Sequence, residues 1–347
     1  VVVTFNRREL LVRCLEALAA QTRPVARVVV VDNASTDGTL EHLEASGVAE
    51  RVAVDYVRLR RNGGGAEGFH YGVRAALDGE SDWIWLMDDD CEPAPGCLES
   101  LLASAPAAAA DTAVVAPVVV DPDDRLLPLN RGHVRRRWFF APLVAASPQE
   151  HAAHATRIGF CSFVGPLVRT AAARRIGLPL REMFIRFDDV EYLSRLRAED
   201  ERMWLVGAAR IVHRDPQPLT GAGWRAMWGD YSQRAPFAQR WKRLYGVRNL
   251  LWCGYRDGYV TLPQGLSQVL VQVVRSMLFD ERRLRSARLL WIYARDARAG
   301  RFRNVPPDRW PALAATRRPS RIVDREALRY DADVAEAPRR LGSRAPA

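Results

Sequence analysis

Short, wholly apolar runs alternate with stretches of helical spacing over the first hundred residues. Val1 to Thr4 is a strand-like run ending at Asn6 and Arg7. Leu10, Leu11, Cys14, Leu15 and Leu18 then recur at the spacing of one helical face, which predicts a helix over 9–20. Val28 to Val31 is a second buried strand, closed by Asp32-Asn33-Ala34-Ser35-Thr36-Asp37-Gly38. Strand, helix and strand within roughly 30 residues make a βαβ unit, whose crossover requires a parallel sheet. A strand at 52–59 leads into Asn62-Gly63-Gly64-Gly65, a helix is predicted from about Glu67 to Leu77, and another apolar strand starts at Trp83. These hundred residues read as one doubly wound, nucleotide-binding half.

The pattern is less regular from 106 to 157, where prolines and the basic aromatic cluster Arg135-Arg136-Arg137-Trp138-Phe139-Phe140 intervene. A strand is expected at 113–120, then a loop or hairpin. Phe160 to Val168 reads as a strand returning to the sheet, followed by a helix ending near Gly177. Asp189 to Arg197 is helical, and 204–206 and 209–212 read as short strands ending at His213. Beyond Pro216, Trp241, Tyr245, Leu250 and Trp252 take helical spacing. There Leu266, Val269, Leu270, Val273, Val274, Met277 and Leu278 share a face, and nine arginines stand against three acids between Arg275 and Arg303. The expected organisation is an α/β domain over 1–215, a helical region over 216–305 and a poorly ordered tail rich in Pro, Ala and Arg over 306–347.

The chain has 347 residues, enough for a large core, and an ordinary globular balance of 48% hydrophobic and 27% charged residues. Its net charge of +10 is almost all arginine, Lys242 being the only lysine. That permits phosphate-bearing or membrane-surface partners without requiring them. Nucleic acid is disfavoured, because the arginines lack a helix-turn-helix or zinc framework. Cys14, Cys91, Cys97, Cys161 and Cys253 are scattered, with no Cys-x-x-Cys, which suggests a reducing compartment and no structural zinc. No signal peptide is visible, and no apolar run reaches the roughly 18 residues that span a bilayer. Val1 opens directly inside a strand-like run, so a few preceding residues are expected.

Chemistry concentrates where the run Trp83-Ile-Trp-Leu-Met87 stops at Asp88, Asp89 and Asp90. A parallel sheet presents ligands at the carboxyl ends of its strands, and alternation puts Asp88 and Asp90 on one side and Asp89 on the other. Two hard oxygen donors two residues apart can share a divalent cation that holds a diphosphate, and the bland alternative is a solvated acidic turn. Asp32 stands at another strand end, as a base or ribose contact or as a helix cap. Gly63, Gly64, Gly65 and Gly68 permit close backbone approach to a ligand but fit neither dinucleotide nor P-loop spacing. Asp188 and Asp189 open a predicted helix, whose N-terminus favours an ionised carboxylate and so a base. His213, taken alone, is as well explained as structural.

In order along the chain, Val-Val-Thr-Phe-Asn-Arg, Val-Asp-Asn-x-Ser-x-Asp-Gly, Arg-Asn-Gly-Gly-Gly-Ala-Glu-Gly-Phe, Asp-Asp-Asp, Asp188-Asp189 and His213 resemble the family-2 glycosyltransferases over roughly 1–215. Within that family, Phe184-Ile-Arg-Phe-Asp-Asp-Val-Glu-Tyr192, the glycine loop and Tyr245-Gly-Val-Arg-Asn249 look most like the galactofuranosyltransferases of galactan biosynthesis. Related rhamnosyltransferases carry similar blocks.

The resemblance implies a GT-A nucleotide-sugar-binding fold, a mostly parallel doubly wound sheet with a C-terminal helical region. Asp32 and Arg61, with Thr4, Asn62, Gly64 and Asp89, would seat the nucleotide sugar. Asp88 and Asp90 would hold Mn2+ or Mg2+ and the ribose-diphosphate, with His213 completing the metal shell. Asp189 would be the base and Asp188 would contact sugar hydroxyls. The implied reaction is an inverting transfer, from UDP-galactofuranose or alternatively dTDP-rhamnose, to a glycan or polyprenyl-linked glycolipid in cell-wall or surface polysaccharide synthesis. The implied location is the cytoplasm, with peripheral contact at the cytoplasmic face of the membrane. Gly159-Phe-Cys-Ser-Phe163 lacks the paired tryptophans of a chain-extending galactan polymerase, which does not support extended polymerisation.

Overall fold

A computed structural model describes residues 1–134, 143–198, 201–214, 237, 240–315 and 319–342. The predicted βαβ pattern is present: β1 (Val2–Thr4), α1 (Arg8–Ala19), β2 (Val28–Asp32), α2 (Thr39–Ala45), β3 (Val54–Arg58) and α3 (Gly64–Leu77). The strands lie in the order β3, β2, β1, all parallel. They are buried along almost their whole length because helices cover both faces, which is why they read as apolar runs without alternation.

The Trp83 run is not one strand of that sheet. It divides into β4 (Trp83–Trp85) and β5 (Met87–Asp88), and only β5 pairs in parallel with β1. β4 joins a second, mixed sheet. Leu86 is the point of exchange, donating its amide to Pro166 and accepting one from Gly165. The run thus stitches the two sheets together just before the acidic turn.

The second sheet contains β6 (Cys91–Pro93), β7 (Thr112–Val120), β10 (Ala155–Ile158), β12 (Leu167–Arg169) and β13 (Arg202–His213), ordered β10-β13-β7-β12-β4 with β6 alongside β13. Between them, where a loop or hairpin was expected, β8 (Arg131–Val134) and β9 (Leu143–Ala145) pair antiparallel, and β11 (Phe160–Cys161) pairs with β8. The cluster Arg135–Phe140 lies outside the described residues. Two expected boundaries change. The strand predicted over 160–168 breaks into β11 and β12 at Gly165, whose φ of 75° a side chain would resist. The two short strands predicted before His213 are one, with a register shift between Val206 and Arg210. α4 (Cys97–Ala103), α5 (Thr170–Ile176) and α6 (Asp188–Ala198) complete this part.

The C-terminal helical region comprises α7 (Trp241–Arg256), α8 (Leu262–Phe279) and α9 (Arg283–Arg298). The apolar face predicted on α8 is mostly open. Val269 is buried and Val273 half-buried, whereas Leu262, Leu266, Leu270, Val274, Met277 and Leu278 are exposed. The tail is a correction. α10 (Trp310–Ala315) and α11 (Pro319–Glu326) pack on α7 and α9 through Trp310, Leu313 and Val323, all fully buried. β14 (Arg339–Leu341) then pairs antiparallel with β3 at the edge of the first sheet.

Trp310 tests this directly. Its indole donates to Val305 O and its ring lies against Tyr245 and Phe237. Trp310→Ala is expected to cost about 3–5 kcal/mol. Urea denaturation measures it, and an unchanged midpoint would return 306–347 to the status of a tail.

Candidate active site

The acidic turn sits where β5 ends, between the first sheet and β13. Asp89 N donates to Val3 O, and Asp89 Oδ2 accepts from Thr4 Oγ1 at 2.7 Å. Asp89 and Thr4 are therefore occupied with each other inside the fold. Arg7 approaches from the turn after β1, 3.4 Å from Asp89 Oδ1 and 2.8 Å from Asp90 Oδ2. The register of β6 against β13, with Cys91 opposite His213, brings His213 Nε2 to 3.2 Å from Asp90 Oδ1. Asp88 is half-buried, and its carboxylate has no hydrogen-bond or ion-pair partner among the described residues.

Burial and charge grade these three acids. Burial, then Asp90, Asp89 and Asp188, push Asp88 well above the usual carboxylate range. Burial pushes Asp89 up to about 7 despite Thr4 and Arg7. Burial also works on Asp90, but His213 and Arg7 outweigh it and hold the carboxyl below the ordinary value. Among the described residues no three donors stand as a preformed metal cluster. Even so, an unpartnered Asp88 repelled by its neighbours, beside a His213–Asp90 contact, is a donor set that a hard divalent cation would relieve and suit.

Across from this turn the chain enters α6 at Asp188 and Asp189. The preceding loop is strained, with Phe184, Arg186 and Phe187 at φ of 67°, 66° and 64°. Phe184 O accepts from Ala66 N at 3.1 Å, and a Cβ on Gly64 would lie 2.0 Å from that oxygen. The glycine of the donor-side loop thus admits protein backbone. Asp189 Oδ1 accepts from Val190 N at 2.7 Å, as a helix N-terminus offers. Loss of water outweighs this amide, and Asp189 is pushed up to about 6, which still leaves it ionised at neutral pH. Burial and Asp189 itself drive Asp188 well above that range. Asp188 also appears among the charges that raise Asp88, which places the two acidic groups near one another.

The residues expected to seat the nucleotide are largely committed elsewhere. Asp32 is fully buried, with Oδ1 accepting from Ser35 N and Oδ2 from Tyr56 OH and Arg58 Nη1. Arg61 donates to the buried Glu67 and to Arg329 O, and lies over the Tyr330 ring. Asn62 Oδ1 accepts from Gly64 N and shapes the entry to α3. Sequence reading missed Arg7, Arg58 and Arg131. Arg131 is a fully buried cation that donates to the carbonyls of Pro117, Asn130 and Val164, and its charge helps restrain Asp189. Arg7 closes the Val-Val-Thr-Phe-Asn-Arg block but carried no role there, and nothing marked Arg58 and Arg131 in a chain with 51 basic residues.

A sequence model of the glycosyl transferase family 2 matches residues 1–164. The galactofuranosyltransferase GlfT1 of Mycolicibacterium smegmatis is 38% identical over 282 residues, covering 78% of this chain and 85% of that one. GlfT1 of Mycobacterium tuberculosis is 33% identical over 312 residues, covering 87% and 94%. Among solved structures, GalNAc-T7 with UDP, GalNAc and Mn2+ is similar at a TM-score of 0.56 and 16% identity, over 86% of this chain and 54% of that one. Fold and acidic site together define a sugar transferase of GT-A type. The chain belongs to the family 2 glycosyltransferases, and over most of its length it is similar to galactofuranosyltransferases.

If Asp189 is the base, it works only when ionised. With its pKa raised to about 6, turnover should fall as pH drops through that value. An ordinary carboxylate would hold the rate to about pH 4. Asp189→Asn keeps size and capping ability but cannot take a proton, so turnover should drop about 10²- to 10⁴-fold with donor binding and Tm near parental. A near-parental rate at saturating substrates would remove Asp189 from that role.

Proposed function

We propose that the chain is an inverting, divalent-metal-dependent galactofuranosyltransferase that moves galactofuranose from UDP-galactofuranose to a glycan or polyprenyl-linked glycolipid in cell-wall synthesis. The observation that carries this reading is similarity to proteins named galactofuranosyltransferases over 85% and 94% of their lengths. The site geometry supports the reaction type. Asp88, Asp90 and His213 would hold Mn2+ or Mg2+, which when bound stabilises negative charge developing on the departing diphosphate. Asp189 accepts the proton of the attacking hydroxyl. Asp188, driven toward its protonated form, is suited to donate a hydrogen bond to a sugar oxygen. A single base favours one displacement, with inversion at the anomeric carbon. Asp32 and Arg61, with Thr4, Asn62, Gly64 and Asp89, are the residues assigned to the nucleotide sugar, and Arg58, bonded to Asp32 Oδ2, adds a second cation beside them.

The donor is tested by offering the purified protein a panel of nucleotide sugars with Mn2+ and measuring free nucleotide diphosphate. Release from UDP-galactofuranose is expected. Release from dTDP-rhamnose instead would replace the donor assignment. Titration calorimetry of Asp90→Ala should show loss of metal-dependent UDP binding, and unchanged binding would move the metal elsewhere.

The C-terminal hairpin of α8 and α9 belongs to the same reading. No helix among the described residues is long and apolar enough to cross a membrane. α8 nevertheless exposes Leu262, Leu266, Leu270, Val274 and Leu278 at four-residue steps. α9 exposes Leu284 and Trp291 among the exposed arginines 283, 288, 295 and 298. Apolar side chains flanked by arginine and tryptophan match the surface of an anionic bilayer, where each interfacial arginine adds about 1 kcal/mol. Such docking would bring the site to a lipid-linked acceptor. The parent should float with anionic liposomes, whereas Leu266→Asp/Leu270→Asp should lose at least half of that binding while retaining transfer to a soluble acceptor. Equal flotation of both proteins would remove the membrane contact.

A further inference from the structure

We infer that Asn249, on α7, is a positioning residue that holds the strained loop carrying Asp188 and Asp189. The inference rests on the reading of those carboxylates as the catalytic side of the site. Asn249 is fully buried. Its Nδ2 donates to Met183 O at 2.8 Å, Ile185 O at 3.1 Å and Arg186 O at 2.8 Å. Its Oδ1 accepts from Arg248 Nε at 2.9 Å, which fixes the orientation of the amide, since the opposite one would turn an oxygen toward three carbonyls. Arg248, also fully buried, donates from Nη2 to Met183 O and from Nη1 to Asn304 Oδ1. Asn304 in turn donates to Glu182 O and to Tyr330 OH.

These contacts converge where the backbone is least comfortable. Phe184, Arg186 and Phe187 hold left-handed or turn conformations that side-chain-bearing residues adopt rarely. An unheld chain would relax toward negative φ and turn Asp188 and Asp189 with it. One amide nitrogen bonded to the carbonyls of residues 183, 185 and 186 counters that relaxation. An amide suits the place, because a carboxylate would repel the carbonyls and an apolar side chain would take a donor from each of them. α7 also leaves room for the loop, for Gly246 lies against the Arg186 side chain, 3.1 Å from its Cδ to the position of an added Cβ. Arg186 itself is exposed and its side chain makes no hydrogen bond or ion pair among the described residues, so replacing it removes only its packing on Gly246, a loss that the glycine and alanine variants share.

Glycine adopts a left-handed conformation freely, which gives a test by rescue. Asn249→Ala should lower kcat about 10- to 100-fold, the penalty of a reacting group misplaced by roughly 1 Å, with donor KM within about twofold of the parent. Amide hydrogen exchange over 183–190 should quicken while β7 and β13 stay protected. Adding Arg186→Gly should restore both kcat and protection toward those of Arg186→Gly alone, and adding Arg186→Ala should restore neither. Unchanged kcat in Asn249→Ala, or equal rescue by alanine and glycine, overturns the inference. Should Asn249→Ala not fold, Arg186→Val in the parent serves, because a β-branched residue opposes this conformation most. It should lower kcat below that of Arg186→Ala, and equal rates would overturn the inference. Exchange and rescue are read whichever carboxylate takes the proton, so failure of the Asp189 assignment shows separately, in Asp189→Asn.

Discussion

Withdrawing several carboxylates from water beside one another is the constraint around which this structure is arranged. Two unit charges 4 Å apart repel by about 4 kcal/mol even at an effective dielectric constant of 20. Asp88, Asp89, Asp90 and Asp188 press on one another in this way, and the chain answers unevenly. Asp89 receives Thr4 and Arg7, and Asp90 receives Arg7 and His213. Asp88 receives neither a donor nor a cation among the described residues. The imbalance leaves one spot where added positive charge relieves repulsion instead of completing a bridge, and that spot lies at the end of β5, just past the crossing from one sheet to the other.

Holding acids this way demands rigidity from distant parts of the chain. β13 delivers His213 to Asp90 because its register with β6 is fixed, and Arg214 N adds a bond to Asp90 O. On the opposite wall the loop before Asp188 is held by residues more than sixty positions further along. The segment beyond Pro306 closes the arrangement, with Tyr330 over Arg61, Val334 N donating to the Tyr71 hydroxyl, and β14 on the edge of β3. Helical bundle and sheet domain are therefore not independent where the site is concerned.

Much of this was legible in residue order, and the misses share a cause. β1, β2 and β3 could be read because a strand covered on both faces is apolar throughout. The same signal misled at Trp83, since hydrophobicity reports burial and says nothing of which strand is the partner; β4 and β5 are buried alike in different sheets. Trp310 and Leu313 are a single i,i+3 pair ten residues before Val323, among Pro, Ala and Arg, too few to register as a helical face. β14 reads Arg-Arg-Leu and owes its place to backbone pairing and to Arg340 against Asp55. At the site, acids at strand and helix ends stood out by position. The direction of the shift at Asp189 did not, because local sequence reveals the helix terminus and conceals the burial that overrides it.

The glycine run shows local physics serving a neighbour that residue order did not suggest. Gly64, at φ 83°, does permit an approach that no other residue would allow, but what approaches is the carbonyl of Phe184. Ala66 N, one turn into α3, then bonds that oxygen, while Glu67 is buried against Arg61. The loop on the donor side and the loop carrying Asp188 and Asp189 are thus joined through backbone at a single oxygen. A displacement of α3's first turn would pull on the strained stretch from Phe184 to Phe187, which ends two residues before Asp189.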